Sequence, residues 1–200
     1  MTCTRPAPGG RDRQNVRVTD NLLVVAATRA EAADVPTGLP LVITGIGKTA
    51  AAVAVATALA RVPDPSRMHV VNIGTAGALR DGVTGLHRIG SVWNHDLNAA
   101  AIRTLGYDPQ ERLHLGAGPA LASGDLFVTE PAARTRLAEV ADLVDMEGYA
   151  VAFAARRFGA PVTLVKHVSD NADAAAFDWP AAVAGSARVL GEWLAGFSAR

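Results

Sequence analysis

Two short acidic segments stand at the junction of an apolar run with a polar turn or helix: Val144-Asp145-Met146-Glu147-Gly148-Tyr149 and Val168-Ser169-Asp170-Asn171-Ala172-Asp173. Carboxylates so placed suit general acid and base work, in which a positioned side chain gives or takes a proton at a reacting group. Two glycine segments, Gly45-Ile46-Gly47-Lys48 and Gly74-Thr75-Ala76-Gly77, fall where strands are expected to end. Ligands gather at the carboxyl ends of strands in sheets with helices on their faces, so all four segments point to one pocket.

The first glycine segment invites two nucleotide readings. Gly47-Lys48-Thr49 resembles the end of a phosphate loop, but that pattern needs glycine where Val42 stands. Gly45 to Ala50 fits a loose dinucleotide fingerprint, yet the next strand ends in Asn72-Ile73-Gly74 without the acid that would hold a ribose hydroxyl. Neither reading is adopted.

The elements that position these segments follow from alternation of short branched-apolar runs with alanine-rich helical patterns. Strands are expected at Leu22–Ala27, Leu41–Thr44, His69–Ile73, Ile89–Trp93, Ala120–Ser123, Leu143–Asp145 and Pro161–Val168. Helices are expected at Lys48–Arg61, Pro131–Val140, Glu147–Phe158 and Pro180–Phe197. Pro131 and Pro180 suit a first helical turn, and Gly159 follows Phe158 as a left-handed cap would.

Composition bounds the classes of function. The chain has 200 residues, 50% of them apolar, which is enough for one substantial core. Its 19 basic residues balance 19 acidic ones, so no net field draws it to nucleic acid or to an anionic membrane. The single cysteine, Cys3, has no intrachain partner and gives no metal or thiol signature, and a cytoplasmic setting is expected. Residues 1–19, rich in Thr, Arg, Pro and Gly, read as a flexible leader without a secretory or membrane signal, and 20–200 as a single domain.

Taken together, the glycine and acidic segments resemble the nucleoside phosphorylase and nucleosidase superfamily, and within it most the methylthioadenosine/S-adenosylhomocysteine nucleosidases. The resemblance runs from about Leu22 to Phe197 and implies a three-layer α/β fold with a central mixed, partly barrel-like sheet flanked by helices. It implies hydrolysis of the N-glycosidic bond of a purine nucleoside, with no cofactor or metal and with a homodimer as the assembly.

Breaking that bond makes the sugar cationic and leaves electrons on the base, so an acid is needed at the base, anchors at the ribose hydroxyls, and a proton acceptor for the attacking water. The resemblance implies that Asp170, in Ser169-Asp170-Asn171-Ala172-Asp173, protonates the purine at N7, and that burial of its strand favours the protonated acid. It gives Glu147 the ribose hydroxyls and Met146 the sugar face. Asp145 is read equally as a helix-capping acid or a binding residue. Glu31, in Ala26-Ala27-Thr28-Arg29-Ala30-Glu31, aligns with the water-activating glutamate, although this segment keeps just one acid.

The same resemblance has Thr75 help to hold the water, with Ala76 and Gly77 beside it, and Lys166 stand where arginine is usual. In Ser123-Gly124-Asp125-Leu126-Phe127-Val128, Phe127 stacks on the purine and the Val128 backbone reads its edge. Ser169 belongs to the site, Phe177 lines the pocket for the 5′ substituent, and Ile46 forms a wall beside the ribose. His95-Asp96 resembles a His-Asp pair of the family, to which no role is assigned.

Departures from the pattern keep other readings open. Val35–Pro40 replaces a hairpin of the family, and Leu97–Gly118 is shorter than usual. Phosphorolysis is the runner-up: Asn72 stands where phosphorylases carry an anion-binding arginine, but Arg29 is close to the first turn. A futalosine-type hydrolase is suggested by Glu147-Gly148-Tyr149. A non-catalytic nucleoside-binding protein is the alternative of another class.

Overall fold

The structure is a computed structural model that describes residues 21–198; the expected leader, 1–19, lies outside them. In chain order the elements are β1 Leu22–Ala26, β2 Leu41–Ile43, α1 Lys48–Leu59, β3 His69–Ala78, β4 Leu86–Arg88, β5 Ser91–Asn94, α2 Ala99–Thr104, β6 Arg112–His114, β7 Ala120–Ser123, α3 Pro131–Ala138, β8 Leu143–Asp145, α4 Gly148–Arg157, β9 Val162–Asp170 and α5 Trp179–Ser198. Short 3-10 turns occupy Pro65–Arg67 and Ala174–Asp178.

The nine strands form one mixed, unclosed sheet in the order β2-β1-β3-β8-β7-β5-β6, with β9 pairing both β3 and β4. Helices cover both faces, which explains why β1 reads as an unbroken apolar run. Its alternate side chains separate into two cores. Leu23 and Val25 pack with Val55, Leu59, Val151 and Ala155 of α1 and α4. Leu22, Val24 and Ala26 pack with Leu190 and Leu194 of α5. A third cluster joins Ala133 and Leu137 of α3 to Ala122 and Val144. Burying each such Val or Leu contributes roughly 1.5–3 kcal/mol, and these cores hold the strand ends in register.

Local signals explain the helix ends. Pro131 opens α3. After α4, Gly159 adopts φ 71° and donates to the Arg156 carbonyl, while Ala160 donates to Ala155, the two bonds of a Schellman cap. Asn98 accepts from the Ala101 N–H at 3.2 Å and so starts α2.

Four elements depart clearly from the sequence expectation. Strand β3 runs on through Gly74-Thr75-Ala76-Gly77 to Ala78, so this segment is strand and not a turn. Its partner β9 continues beside it and pairs Gly74 with Lys166, Thr75 with His167 and Ala76 with Val168. Strands β4 and β6 and helix α2 were also not expected. In β6 only Leu113 turns inward between exposed Arg112 and His114, too short an alternation to stand out. Among the described residues no helix is long and apolar enough to cross a membrane.

Candidate active site

The site begins with a gap in the sheet. One edge of β3 pairs with β1 up to Asn72 and with β8 from Gly77, while β9 occupies the other edge. Between those partners the β1 edge is open, and an unpaired buried amide there must find another acceptor. Glu31 supplies it: its Oε1 accepts from the Thr75 N–H at 2.8 Å and the Thr75 hydroxyl at 2.9 Å.

Glu31 is aimed by a capping box in the turn after β1. Its Oε2 accepts from the Thr28 N–H and hydroxyl, both at 3.1 Å, and its own N–H donates to Thr28 Oγ1 at 3.2 Å. The carboxylate is buried, and four donors surround it.

Glu147 enters from the other side, at the N-cap of α4. The first amides of that helix are taken by other groups: Gly148 N–H donates to Asp145 Oδ2 at 2.8 Å, and Tyr149 N–H to Ser123 Oγ at 3.0 Å. Glu147 Oε1 accepts instead from the Gly47 N–H at 2.8 Å, just before α1. The adjacent Lys48 N–H donates to Asp125 Oδ1 at 2.7 Å, so acids from two different loops hold the start of α1. The Lys48 ammonium bonds Asn94 Oδ1 at 2.6 Å and pairs with Asp96.

Lys166 lies behind the wall. It is fully buried, and its Nζ pairs with Asp145 Oδ2 at 2.8 Å. Burial opposes its charge, but the carboxylates of Asp145, Glu147 and Glu31 more than offset this and hold its pKa above the ordinary lysine value. One ammonium thus faces three buried carboxyls. Glu147 bears the excess: burial first, then the Asp145 charge, push its pKa up to about 7 against the pull of Lys166 and the Gly47 amide.

At the end of β9, Asp170 is partly exposed; its Oδ1 accepts from the Ala172 N–H at 2.8 Å and its Oδ2 from the Ser169 hydroxyl at 2.7 Å. Gly77 makes room for this turn. A Cβ there would lie 2.9 Å from both Asp170 Oδ1 and Ala172 Cβ, which leaves no space for a side chain.

These parts enclose a cavity of about 410 Å³, lined by Glu31, Ile46, Thr75, Ala76, Gly77, Phe127, Val128, Asp145, Met146, Glu147, Ser169, Asp170 and Phe177 among others. The ionisable residues on its wall are Glu31, Asp145, Glu147 and Asp170, all acidic. Phe127 and Phe177 meet edge to face, 5.7 Å between ring centres, over an otherwise apolar side. Every site residue singled out from the sequence is on this wall except Lys166, whose expected contact with a ligand is replaced by the ion pair behind Asp145. His95 also stays off the wall; its Nε2 is buried against Gly124, and burial depresses its pKa. Among the described residues no group of three or more His, Cys, Asp and Glu side chains is arranged to hold a metal ion.

A family model described as the phosphorylase superfamily matches residues 92–189. Just under half of the chain is thus similar to the phosphorylase superfamily. No curated protein matches it. Among solved structures, a futalosine hydrolase mutant of Helicobacter pylori is 21% identical with a TM-score of 0.74, covering 86% of this chain and 96% of that one. A 5′-methylthioadenosine/S-adenosylhomocysteine nucleosidase of the same organism, complexed with a substituted pyrrolidinol, is 21% identical with a TM-score of 0.73 and covers 88% and 96%. The nucleosidase of S. pneumoniae with a transition-state inhibitor is 25% identical with a TM-score of 0.67 and covers 86% and 97%.

Two hydrogen-bonding residues of the wall, Thr28 and Trp179, are not among those expected from the sequence. Thr28 was legible as the first member of a Thr-x-x-Glu box with Glu31. Trp179, whose Nε1 donates to Thr75 Oγ1 at 2.9 Å, has its partner 104 positions away, and no local pattern marks it.

Proposed function

We propose that the protein is a nucleosidase that hydrolyses the N-glycosidic bond of a purine nucleoside of the methylthioadenosine/S-adenosylhomocysteine kind to free base and a ribose derivative. The observation that carries this reading is the wall of the cavity, on which four acidic side chains share one space with the apolar Ile46, Phe127, Val128 and Phe177. A flat, uncharged base suits the apolar residues, and a sugar that turns cationic suits the acids.

In this reaction the bond between C1′ and the base nitrogen breaks, and its electron pair passes to the purine. Asp170 gives a proton to N7 as this happens. Glu147 and Met146 hold the ribose, and a carboxyl poised near neutrality binds its hydroxyls most strongly when it ionises against the developing positive charge. Water adds to C1′ and its proton passes to Glu31, so that the sum is nucleoside plus water giving base plus free sugar.

Water is favoured over phosphate because a phosphate dianion would meet carboxylates on this wall. The Asn72 amide is buried and donates to the Val25 carbonyl at 3.1 Å, and Arg29 is exposed and off the wall. A futalosine-type substrate remains the second reading, supported by the futalosine hydrolase being as similar as the nucleosidases. A homodimer in the cytoplasm belongs with this proposal, on the strength of the family resemblance and the composition.

The test is a substrate panel. Purified protein is incubated with methylthioadenosine, S-adenosylhomocysteine, adenosine, inosine and futalosine, and released base is quantified. Base from the adenine nucleosides is the expected result. Release from futalosine alone favours the second reading, and tight binding without release identifies a nucleoside-binding protein.

A further inference from the structure

We propose that Trp179 is a positioning residue for Glu31, acting through the hydroxyl of Thr75; the inference rests on the reading of Glu31 as the proton acceptor. An indole N–H only donates, so at 2.9 Å the Thr75 oxygen must accept from it. The hydroxyl proton of Thr75 then cannot point at Trp179. Its remaining partner is Glu31 Oε1, also at 2.9 Å. Trp179 therefore sets the direction of a rotor that would otherwise be free to turn toward the cavity.

A carboxylate offers about four lone-pair sites, and those of Glu31 face the Thr28 and Thr75 amides and hydroxyls. The two amides belong to the backbone and cannot turn. Thr28 Oγ1 is tied into the capping box, because it also accepts from the Glu31 N–H. Thr75 is the donor that can yield to a water, and Trp179 is the group that restores it. The indole thus keeps Glu31 aligned between turnovers, by a contact that belongs to neither the sugar nor the base.

Trp179 also links two parts of the wall. It opens α5 directly after the 3-10 turn Ala174–Asp178, which carries Ala176 and Phe177 on the cavity side. The side of the pocket bearing Phe177 is thereby fastened to the water side by one hydrogen bond, 104 residues apart in sequence.

The experiment is a kinetic double-mutant cycle with an independent spectroscopic readout. Trp179→Phe keeps an aromatic ring and removes the N–H. Its kcat is expected to fall about five- to tenfold, the effect of one hydrogen bond, with KM changed less than about twofold. Thr75→Val removes the hydroxyl, and adding Trp179→Phe to it should cost little more. In ¹H–¹⁵N spectra of the Thr75→Val protein, the Trp179 indole resonance should move from its wild-type position. Wild-type kcat in Trp179→Phe, a fully additive cycle, or an unmoved indole resonance overturns the inference. Wild-type protein that releases no base from any nucleoside overturns the nucleosidase reading, and this inference with it; an active wild type with an additive cycle overturns this inference alone.

Discussion

Glu147 is held well above the ordinary carboxyl range, first by burial and then by the Asp145 charge with which it shares one ammonium. Its pKa moves from 4.5 to about 7 on folding. Between those values the folded protein binds more protons at this site than the unfolded chain, so stability is fully present below pH 4.5 and falls as pH rises toward 7. The loss is at most about 3 kcal/mol. Glu147→Gln, which keeps an oxygen for the Gly47 amide, should therefore gain stability relative to wild type between pH 5 and pH 8, as measured by urea denaturation at both values. A constant difference across that range would contradict the assigned electrostatics. On the proposed reaction, Asp170→Asn should lower kcat by at least about 10²-fold while binding of substrate, followed by calorimetry, persists, since an amide cannot give up the proton the base requires. Near wild-type turnover would remove Asp170 from the role of acid. At this scale the sequence disclosed identities better than partners. Asp145, Glu147 and Asp170 were legible because they sit in runs, whereas the withdrawal of Lys166 behind the wall depends on β9 placing it opposite Gly74, which no local pattern records.

Strand β3 is the element that makes the site, because it changes partner along its length and exposes one edge to Glu31. The sequence ends this strand at Ile73, since Gly74-Thr75-Ala76-Gly77 carries the residues of a turn. Those glycines answer a different need, the close approach of Glu31 and Lys166 at Gly74 and of Asp170 and Ala172 at Gly77. Gly77→Ala should consequently displace the Asp170 turn, cost about 1–3 kcal/mol of stability and reduce turnover. Gly185→Ala is the matching control: it lies in α5 with nothing within 4 Å of the added carbon, and it should stabilise by about 0.5–1 kcal/mol through helix propensity. Thermal denaturation of the two variants separates crowding from propensity, and equal effects of one sign would contradict the packing described. A strand with a continuous apolar run, such as β1, was legible from composition. The three-residue strands β4 and β6 were not, because their pairing to β9 and β5 and not their own residues makes them strands.

At the scale of the whole molecule, a neutral chain with three apolar clusters carries its concentrated acid at the open edge of one strand and along the facing helix start. On the proposed reading, that distribution separates hydrolysis from phosphorolysis. A wall of Glu31, Asp145, Glu147 and Asp170 would, on the same reading, repel a phosphate nucleophile, and Glu31 would take the proton of the attacking water. A sheet with helices on its faces was legible from the alternation of runs, and Asn72 already favoured water over phosphate in the sequence; the structure adds that the Asn72 amide is buried and hydrogen-bonded and that Arg29 lies off the wall. The most direct measurement is product analysis with the best nucleoside of the panel in phosphate-free buffer, repeated with added phosphate. The account predicts free base and free sugar in equal amounts at the same rate in both, and a sharply slower reaction in Glu31→Gln. Strict dependence on phosphate with a ribose 1-phosphate as product would contradict it.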